Sequence, residues 1–445
     1  MLKIITTFIF LTGLFFFSCN TTEPDNKPAD FEFAAEDASC TEAWIKLKAD
    51  NIKAAQVFRE DSLIYSFNSS SIDTVLYDEG LLPNQSYKYK LTIQHPLANG
   101  NNSAVNKELT LQTMDTTSHN FTWQTFTFGQ HSSSVLYDVA IINENNIWAV
   151  GEIYMNDSLG NPDPHAYNAV HWDGIKWDLI RINTQSDCNP VTYAPLRAIW
   201  AFSDSNIIIT SGGSIGWFNG KTNKADCNIR PMLTGSINKI WGTSSSDLYV
   251  VGNSGNIAHY DGSPLANGWT KIESGTELSI RDVWGDFNEK TNKWEILAAA
   301  SNFMLDLEKE VLSIKGNSVT KLNLSSQVWP LKTVWFMPNK QYYIAGSGIY
   351  QKRLLADSVW RNNATDITTF STTSIRGNGI NDVFAVGAFG DLVHFNGVNW
   401  KTDYSEPLLN NGAYTRVAVK GNLVIAVGGN QVSLDSEAVI LMGRR

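Results

Sequence analysis

Three cations stand at the same place relative to a recurring tryptophan. Arg197, Arg281 and Lys332 each precede a tryptophan by three residues. If these equivalent segments meet in space, the side chains converge on one cleft, and convergent cations favour an anionic ligand such as an acidic sugar, a phosphate or a carboxylate. The alternative is that the cations pair with neighbours such as Asp282 or are simply solvated. The sequence therefore offers an anion-binding site or three ordinary charged side chains.

Two long polar segments, residues 152–167 and 183–195, offer a second candidate site. They carry aromatic platforms and hydrogen-bonding groups suited to a sugar or a peptide, and the alternative is a surface loop without a partner. The candidate ligand-binding residues in them are Tyr154, His165, Tyr167 and Tyr193, near Met155, Asp157 and Asp163. The acidic spacing of residues 157–163 loosely resembles a calcium loop but supplies too few ligands, so we expect no metal there.

A repeat must position these residues. Residues 237–272 contain four short β-patterned runs, each broken by Gly, Ser, Asn or Asp, with no room for a helix. The pair Asp261 and Gly262 predicts a two-residue hairpin turn between the third and fourth runs. Seven segments match this unit: residues 136–177, 196–220, 237–272, 280–316, 331–360, 374–400 and 415–443.

A period of about 40 residues with four strands per unit is typical of a β-propeller. The seventh unit lacks a fourth strand, whereas residues 121–129 alternate apolar and polar and carry Trp123 much as other units carry Trp269 and Trp400. We therefore expect an all-β, seven-bladed β-propeller over residues 120–445, closed by this amino-terminal strand. The IWG, LYVVG, HYDG and W elements resemble a family of secreted bacterial propellers whose activities are poorly defined.

In a propeller blade the innermost strand descends from the top face, so both long segments and the three cations are expected on top, around the mouth of the central channel. The recurrent tryptophans are expected to pack between blades. His171, His259 and His394 share a third-strand position that would point away from its equivalents, so we expect a structural role and no metal. The tryptophans in question are Trp200, Trp241, Trp284 and Trp335.

The amino terminus reads as an export signal. Residues 1–19 carry Lys3, then an apolar run, then Ser18 and Cys19, a stretch too short for a spanning helix. The run FFSC resembles the lipobox of bacterial lipoproteins, which implies that Cys19 is lipidated and holds the protein on a membrane. The alternative is an ordinary signal peptide cut elsewhere. Residues 20–29 read as a tether, and Asn20 after the cysteine favours the outer membrane or cell surface.

Residues 30–115 contain β-patterned runs at the spacing of a small sandwich. Within them LLPNQSYKYKLTI, with Leu82, Pro83, Tyr87 and Leu91, resembles the fibronectin type III family. That resemblance implies a sandwich in which Tyr87 forms a corner hydrogen bond and Trp44 is a core residue. Such domains are spacers or binding modules.

Export to an oxidising compartment permits a disulfide, and Cys188 with Cys227 is the candidate pair. The net charge of −10 and the pI of about 5.2 argue against a nucleic-acid partner. No nucleophile elbow, HExxH, P-loop or dinucleotide fingerprint is present, so we name no catalytic residue and no cofactor. Repeat proteins hide sites well, however, because catalytic groups can come from different repeats.

Three functions fit these patterns. The first is a lipid-anchored, monomeric binding or scaffold protein of the cell envelope, whose propeller top face engages a glycan or a protein. The second is a carbohydrate-active hydrolase or lyase with its site at the channel mouth, which predicts carboxylates with perturbed pKa beside Arg197 and Arg281. The third is a structural spacer. The sequence favours the first.

Overall fold

The computed structural model describes residues 31–97, 102–185, 192–263, 265–302, 308–324, 329–362, 367–368, 370–402, 409, 411–432 and 434–445. The chain divides into two compact units, the first ending at Met114 and the second running from Asp115 to Arg445. The fold is all-β, with 3₁₀ helices at Arg230–Met232 and Leu265–Gly268. Among the residues described, no helix is long and apolar enough to cross a membrane. The predicted signal peptide, Cys19 and the tether lie outside these residues.

The first unit consists of two antiparallel sheets around one apolar core. Its strands are β1 (Phe31–Ala38), β2 (Glu42–Asp50), β3 (Ala54–Arg59), β4 (Ser62–Phe67), β5 (Ser71–Glu79), β6 (Ser86–Pro96) and β7 (Asn102–Gln112). One sheet has the order β1-β2-β5 and the other β4-β3-β6-β7. Ile45 and Leu47 from the first sheet pack with Val57 and Leu91 from the second. Alternation along each strand thus buries one face of each sheet.

Two contacts in the first unit correspond to those that the fibronectin type III resemblance implied. The backbone N–H of Leu82 donates a hydrogen bond of 2.9 Å to the Tyr87 hydroxyl at the start of β6. Trp44 is 4% exposed and lies in the core. A tyrosine near the start of the sixth strand that binds backbone a few residues upstream is the arrangement called a tyrosine corner.

The second unit is built from short antiparallel strands. They are β8 (Thr122–Phe128), β9 (Val135–Asn143), β10 (Asn146–Ile153), β11 (Tyr167–Trp172), β12 (Trp177–Ile180), β13 (Ile199–Ser203), β14 (Asn206–Ser211), β15 (Ser214–Phe218), β16 (Asn223–Asp226), β17 (Ile237–Ser244), β18 (Asp247–Gly252), β19 (Ile257–Tyr260), β20 (Trp269–Ile272), β21 (Ile280–Asn288), β22 (Lys293–Ser301), β23 (Lys309–Lys315), β24 (Ser318–Lys321), β25 (Leu331–Met337), β26 (Gln341–Gly346), β27 (Gly348–Lys352), β28 (Arg361–Asn362), β29 (Thr372–Gly379), β30 (Asp382–Gly387), β31 (Leu392–Phe395), β32 (Trp400–Thr402), β33 (Ala413–Lys420), β34 (Leu423–Gln431) and β35 (Ser436–Arg444).

These strands form four-stranded sheets, which we number by chain order. Sheets 1 to 6 are β9–β12, β13–β16, β17–β20, β21–β24, β25–β28 and β29–β32, each with its strands side by side in chain order. Sheet 7 has the order β33-β34-β35-β8, so its fourth strand comes from the amino-terminal side of sheet 1. In this pairing Trp123 stands opposite Gly443 and Thr127 opposite Val439.

The first strands of neighbouring sheets contact each other in chain order from β9 to β33, and β33 also contacts β9. Apolar side chains fill the space between sheets 1 and 7, as they fill the spaces between the other neighbouring sheets. Leu136 and Ile147 of sheet 1 share a core with Ile425 and Ile440 of sheet 7. The first strands therefore surround a central channel. We call the end at which they begin the top of the unit.

A β-bulge near the beginning of the first strand explains a repeated glycine. In β17 the pairing skips one residue, Asn238, between Ile237 and Lys239, and β21, β25, β29 and β33 show the same shift. The glycine that ends the VG or AG dipeptide lies opposite the bulge. A Cβ at Gly346 would lie 2.0 Å from the Pro330 oxygen, so a side chain there requires the backbone to shift, and sheet 4 carries the smallest one, Ala300, at this position. Bulges also redirect side chains. Here the side chain of the skipped residue, such as Asn238, turns toward the channel.

The tight hairpin predicted at Asp261 and Gly262 is wrong. Strands β19 and β20 do pair antiparallel, with Tyr260 opposite Trp269. Their connection is longer, because Leu265–Gly268 coils into a 3₁₀ helix before β20 begins. The Asp261 N–H closes the loop by donating to the Gly268 oxygen at 2.9 Å.

Candidate functional site

Seven residues, one from each sheet, line a single cavity at the top of the channel. Six of them lie in the first strand of their sheet and are its bulge residue, whereas Arg197 lies just before β13. All seven occupy the second position when these segments are aligned, and we call them the second-position residues. They are Tyr137, Arg197, Asn238, Arg281, Lys332, Thr373 and Thr415. Together with Arg416 they enclose about 250 Å³. We call this space the cationic cavity, because four of its eight lining residues are Arg or Lys. The three cations that the spacing singled out do converge.

The neutral second-position residues hold neighbouring sheets together. Asn238 donates to the Ile280 oxygen of the next sheet at 2.9 Å, and Thr373 donates to the Tyr414 oxygen. Thr415 donates to the Leu136 oxygen at 2.8 Å, which joins sheet 7 to sheet 1. These bonds satisfy backbone oxygens near the bulges, where the strand ladder is interrupted.

Uncharged groups position two of the cations at this position. The Arg197 guanidinium lies 3.9 Å from the centre of the Tyr137 ring, a cation–π contact. The Tyr137 hydroxyl in turn donates to Glu152 at 2.5 Å. Arg281 donates from Nε to the Ser301 oxygen at 3.1 Å. The contacts that position Arg197 and Arg281 therefore leave their positive charge in the cavity.

Arg416, which no repeat spacing indicated, forms part of the cavity lining. Its Nη2 donates to the Arg281 oxygen at 2.8 Å, and its Nη1 donates to the oxygens of Thr373 and Thr415 at 3.3 and 3.4 Å. Burial and the charge of Arg416 lower the pKa of Arg281. Burial and the charge of Arg281 likewise lower the pKa of Lys332. The cavity thus holds excess positive charge, which an anion would offset.

A buried ionic layer lies directly beneath the cationic cavity. Lys239 donates to both carboxylate oxygens of Asp138 at 2.7 Å. Arg376 forms a bidentate pair with Asp282 at 2.7 and 3.0 Å, and Thr333 donates to the same carboxylate at 2.6 Å. These pairs join sheets 1 and 3, and sheets 4 and 6.

Asp282, which the sequence offered as a neighbour for the cavity cations, has its bidentate partner in Arg376 of sheet 6. Burial alone would raise the pKa of Asp282, but the charges of Arg376 and Arg416 outweigh it and lower the pKa to about 2. Asp282 is 0% exposed and Arg376 is 7% exposed, so this pair belongs to the interior.

Comparison with known proteins identifies the architecture. A solved structure of YCF48 bound to a D1 peptide matches with a TM-score of 0.52 and 13% identity, over 73% of this chain and 97% of that one. YCF48 from Cyanidioschyzon merolae gives a TM-score of 0.49 at 13% identity, over 72% of this chain and 98% of that one. The WD40 β-propeller domain of Doa1 gives 0.48 at 9% identity, over 73% and 98%.

The chain contains a β-propeller. No family model matches the sequence, and no curated protein matches it either. The similarity establishes the fold, and the ligand must be argued from the residues.

The long segments predicted to bind a ligand form two separate groups in the propeller. Tyr154 donates to Glu152 at 3.2 Å, and Glu152 also accepts from Tyr137. Tyr154 therefore helps to position Glu152, the acceptor of the Tyr137 hydroxyl in the cationic cavity. Burial and the adjacent Glu152 carboxylate raise the pKa of Tyr154, so this residue stays a neutral hydrogen-bond donor.

His165, Tyr167 and Tyr193 instead gather around Arg181. The Arg181 guanidinium lies 4.0 Å from the Tyr167 ring centre and 5.9 Å from that of Tyr193. It also pairs with Asp163 and donates to the His165 oxygen at 2.6 Å. We call these five residues the Arg181 cluster. It holds the two long segments together, so the Arg181 guanidinium covers part of the Tyr167 and Tyr193 rings.

The three recurrent histidines have local contacts in their own blades. Each ring stacks on an aromatic residue of the second strand at 4.2 Å: His171 on Trp148, His259 on Tyr249 and His394 on Phe384. Each Nε2 meets Asn146, Asp247 or Asp382 at 3.0, 2.7 and 2.9 Å. Within the described part of the chain, no cluster of three or more His, Cys, Asp or Glu is placed to hold a metal ion.

The remaining predicted site residues are the cysteines. Cys227 is disulfide-bonded, while Cys188 lies outside the described residues, so the pairing of Cys188 with Cys227 stays a prediction. Cys40 is buried in the first unit.

Sequence reasoning missed Arg416, Arg376 and the neutral second-position residues. A signal was available, because the third position carries Asp138, Lys239, Asp282 and Arg416, each directly before an apolar residue of a largely buried strand. Charges inside a strand that is otherwise apolar indicate buried pairs.

Proposed function

We propose that this protein is a binding or scaffold protein whose cationic cavity receives an anionic group of a partner at the top of the propeller. The observation that carries the proposal is the convergence of Arg197, Arg281, Lys332 and Arg416 on one cavity whose described lining contains no carboxylate. Positive charge concentrated in one cavity attracts an anionic group, which can accept charge-assisted hydrogen bonds, and these are stronger than neutral ones. A carboxylate or phosphate is the group that matches it.

Our proposal includes the architecture that sets this geometry. The seven sheets are taken as seven blades of a ring closed by β8, and the first unit as a fibronectin type III-like domain. The pairing of Trp123 with Gly443, the Thr415 bond to sheet 1 and the Tyr87 corner support this assignment.

We favour a protein partner and keep an acidic glycan as the alternative ligand. The YCF48 structure holds a D1 peptide, and a propeller top suits a peptide segment because its loops frame a concave surface. Lipid anchoring through Cys19 at the outer membrane would place that surface outside the membrane. Replacement of Cys19 by Ser is expected to move the protein from the membrane to the soluble fraction.

The lining does not support the carbohydrate-active alternative. Glycoside hydrolysis ordinarily uses a pair of carboxyl groups flanking the scissile bond. Glu152, a carboxylate that supports the cavity through Tyr137, accepts hydrogen bonds from Tyr137 and Tyr154 and is not among the lining residues. The arrangement is suited to binding an anion.

A binding experiment tests the proposal. The mature chain from Asn20 onward is screened on arrays of acidic and neutral glycans and used to capture envelope proteins, in parallel with Arg197→Ala/Arg281→Ala. Lys293→Ala/Lys401→Ala is the matched control, because both lysines are exposed and outside the cavity lining. We expect the cavity variant alone to lose a saturable partner, about tenfold or more in affinity for two charge-assisted bonds. Binding that survives in the cavity variant contradicts the proposal.

A further inference from the structure

A second cavity lies in the channel below the ionic layer. It encloses about 160 Å³, and its lining includes Ala140, Trp200, Trp284 and Ala418. We call it the indole cavity. Lys239 and Arg376 also line it, and both belong to the ionic layer that separates it from the cationic cavity.

The cavity exists because one position of the first strand carries residues of different size. Sheets 2 to 5 carry tryptophan at this position, whereas sheets 1 and 7 carry Ala140 and Ala418. The two alanines leave space on their side of the channel that an indole would otherwise fill.

Two of the four tryptophans turn away from this space. Trp241 and Trp335 are 3% and 2% exposed, and each packs against a glycine of the next sheet, Gly285 or Gly377. Sheet 5 carries Phe336 at the place of those glycines, so Trp284 has no such slot and lines the channel. Trp200 lies beside it, with ring centres 6.3 Å apart and the planes at 71°, although sheet 3 carries Gly242 at that place. Trp241 and Trp335 are thus buried in the core, whereas Trp200 and Trp284 are half-buried and pack against the core from the channel.

Both channel tryptophans bring a polar atom that the protein does not satisfy. The Nε1 atoms of Trp200 and Trp284 are buried and have no hydrogen-bond acceptor among the described residues. Buried indole N–H groups ordinarily find a partner. Both atoms are closed off from the cavity in the present arrangement, so an acceptor on a molecule bound between the indoles and the alanines would reach them when an indole turns toward it.

The charges around the cavity indicate a neutral molecule. Lys239 is paired with Asp138, and Arg376 is paired with Asp282 while its guanidinium lies 4.9 Å from the Trp284 ring centre. Lys420 donates to the Ile142 oxygen at 2.8 Å. The cations around the indole cavity are thus engaged by these partners, so an anion gains little there.

We propose that the indole cavity is a second ligand site, which takes a neutral planar molecule about the size of one six-membered ring with a hydrogen-bond acceptor. An apolar cavity of about 150 Å³ accommodates a benzene molecule, so the size fits. The site is independent of anion binding at the top, because the ionic layer lies between the two cavities.

The test uses the full-length chain labelled with 5-fluorotryptophan and observed by fluorine NMR. The resonances of Trp200 and Trp284 are assigned through Trp200→Phe and Trp284→Phe. Benzamide, benzoate and toluene serve as probes, because they share a ring and differ in acceptor and charge. We expect benzamide to shift both resonances saturably, and to bind about fivefold more tightly than toluene for one added hydrogen bond and more tightly than benzoate.

Variants then locate the site. Ala418→Leu and, separately, Ala140→Leu fill the cavity and are expected to abolish the shifts while the thermal transition is kept. Lys332→Ala, in the cationic cavity, is expected to leave benzamide binding unchanged. Equal affinity for benzamide and toluene, tighter binding of benzoate, or shifts that persist in both leucine variants would overturn the proposal. So would the absence of any saturable shift, which would mean that water alone meets the indole N–H groups.

Discussion

Arg416 donates a hydrogen bond of 2.8 Å from Nη2 to the backbone oxygen of Arg281, a residue 135 positions away in the chain. The two residues belong to sheets 7 and 4, so the bond spans the channel. It lies directly below the cationic cavity and holds the Arg416 guanidinium close to the other cations of that cavity. The backbone oxygens that Arg416 binds stabilise this otherwise unfavourable position.

Removal of this guanidinium is expected to destabilise the second unit. Arg416→Leu leaves three backbone oxygens, those of Arg281, Thr373 and Thr415, without their donor. The free energy of unfolding should fall by about 2 kcal/mol, measured by urea denaturation. Lys401→Leu, at an exposed position, is the control and should change it by less than about 0.5 kcal/mol. A variant as stable as the wild type would show that Arg416 does not join the sheets.

The Asp282–Arg376 pair should behave as a coupled buried unit. Arg376→Met leaves the Asp282 carboxylate in the interior without its bidentate partner, at a cost of about 3–5 kcal/mol in the free energy of unfolding. Asp282→Leu/Arg376→Met removes both charges and should be more stable than Arg376→Met alone. A double-mutant cycle measures the coupling. Strictly additive costs would contradict the pairing.

Much of the fold could be predicted, because it depends on local patterns. Period-2 runs and turn residues predicted the strands, and the alternation around Trp123 predicted the partner of the last sheet. The convergence of Arg197, Arg281 and Lys332 followed from equal spacing to a tryptophan.

Other features depend on residues that are close only in space. Trp284 lines the channel next to a sheet that carries Phe336 in place of a glycine. The partner of Asp282 is Arg376, 94 positions away. Spacing within one repeat carries no information on such pairs. The same limit applies to the Arg181 cluster, whose members come from both long segments.

Acid should destabilise the propeller through two buried carboxyl groups. Asp282 and Asp382 each have a pKa of about 2 against an ordinary 3.8. For Asp382, burial acts to raise the pKa, but hydrogen bonds from His394 and Arg445 outweigh it. Because the unfolded chain takes up these protons first as the pH falls, their contribution is complete above pH 4 and is lost between about pH 4 and pH 2.

The expected loss is about 2 kcal/mol in the free energy of unfolding for each carboxyl group. Asp382→Asn should be less stable than the wild type at pH 6 and should lose less on acidification. Asp435→Asn, at an exposed position, is the control. Urea denaturation at pH 6, 4 and 3 measures the difference, and parallel pH profiles of Asp382→Asn and the wild type would contradict the assignment.

The Arg181 cluster should protect the connection between β10 and β11. Arg181→Met removes the pair with Asp163, the bond to the His165 oxygen and the stacking on Tyr167. We expect faster limited proteolysis within residues 154–166, because this loop is then held by fewer contacts. Arg181→Lys should protect only in part, since an ammonium group lacks the planar stacking surface.

Lys176→Met is the matched control, because Lys176 pairs with Asp178 at the surface of the same sheet. Mass spectrometry of the fragments locates the cuts. Unchanged cleavage in Arg181→Met would show that the cluster does not order the loop.

The pairing of β8 with β35 joins the two ends of the propeller, and the position of the seven second-position residues around one cavity depends on it. Thr122 and Arg444 are register partners at exposed positions. Cysteines introduced at both should form a disulfide on mild oxidation, identified by mass spectrometry of the linked peptides. Cysteines at Thr122 and Glu437 should not, because seven residues of strand, about 23 Å, separate Glu437 from Arg444. Linkage of Thr122 to Arg444 alone is the predicted result, and failure of that linkage, or equal linkage in both pairs, would contradict the closed propeller.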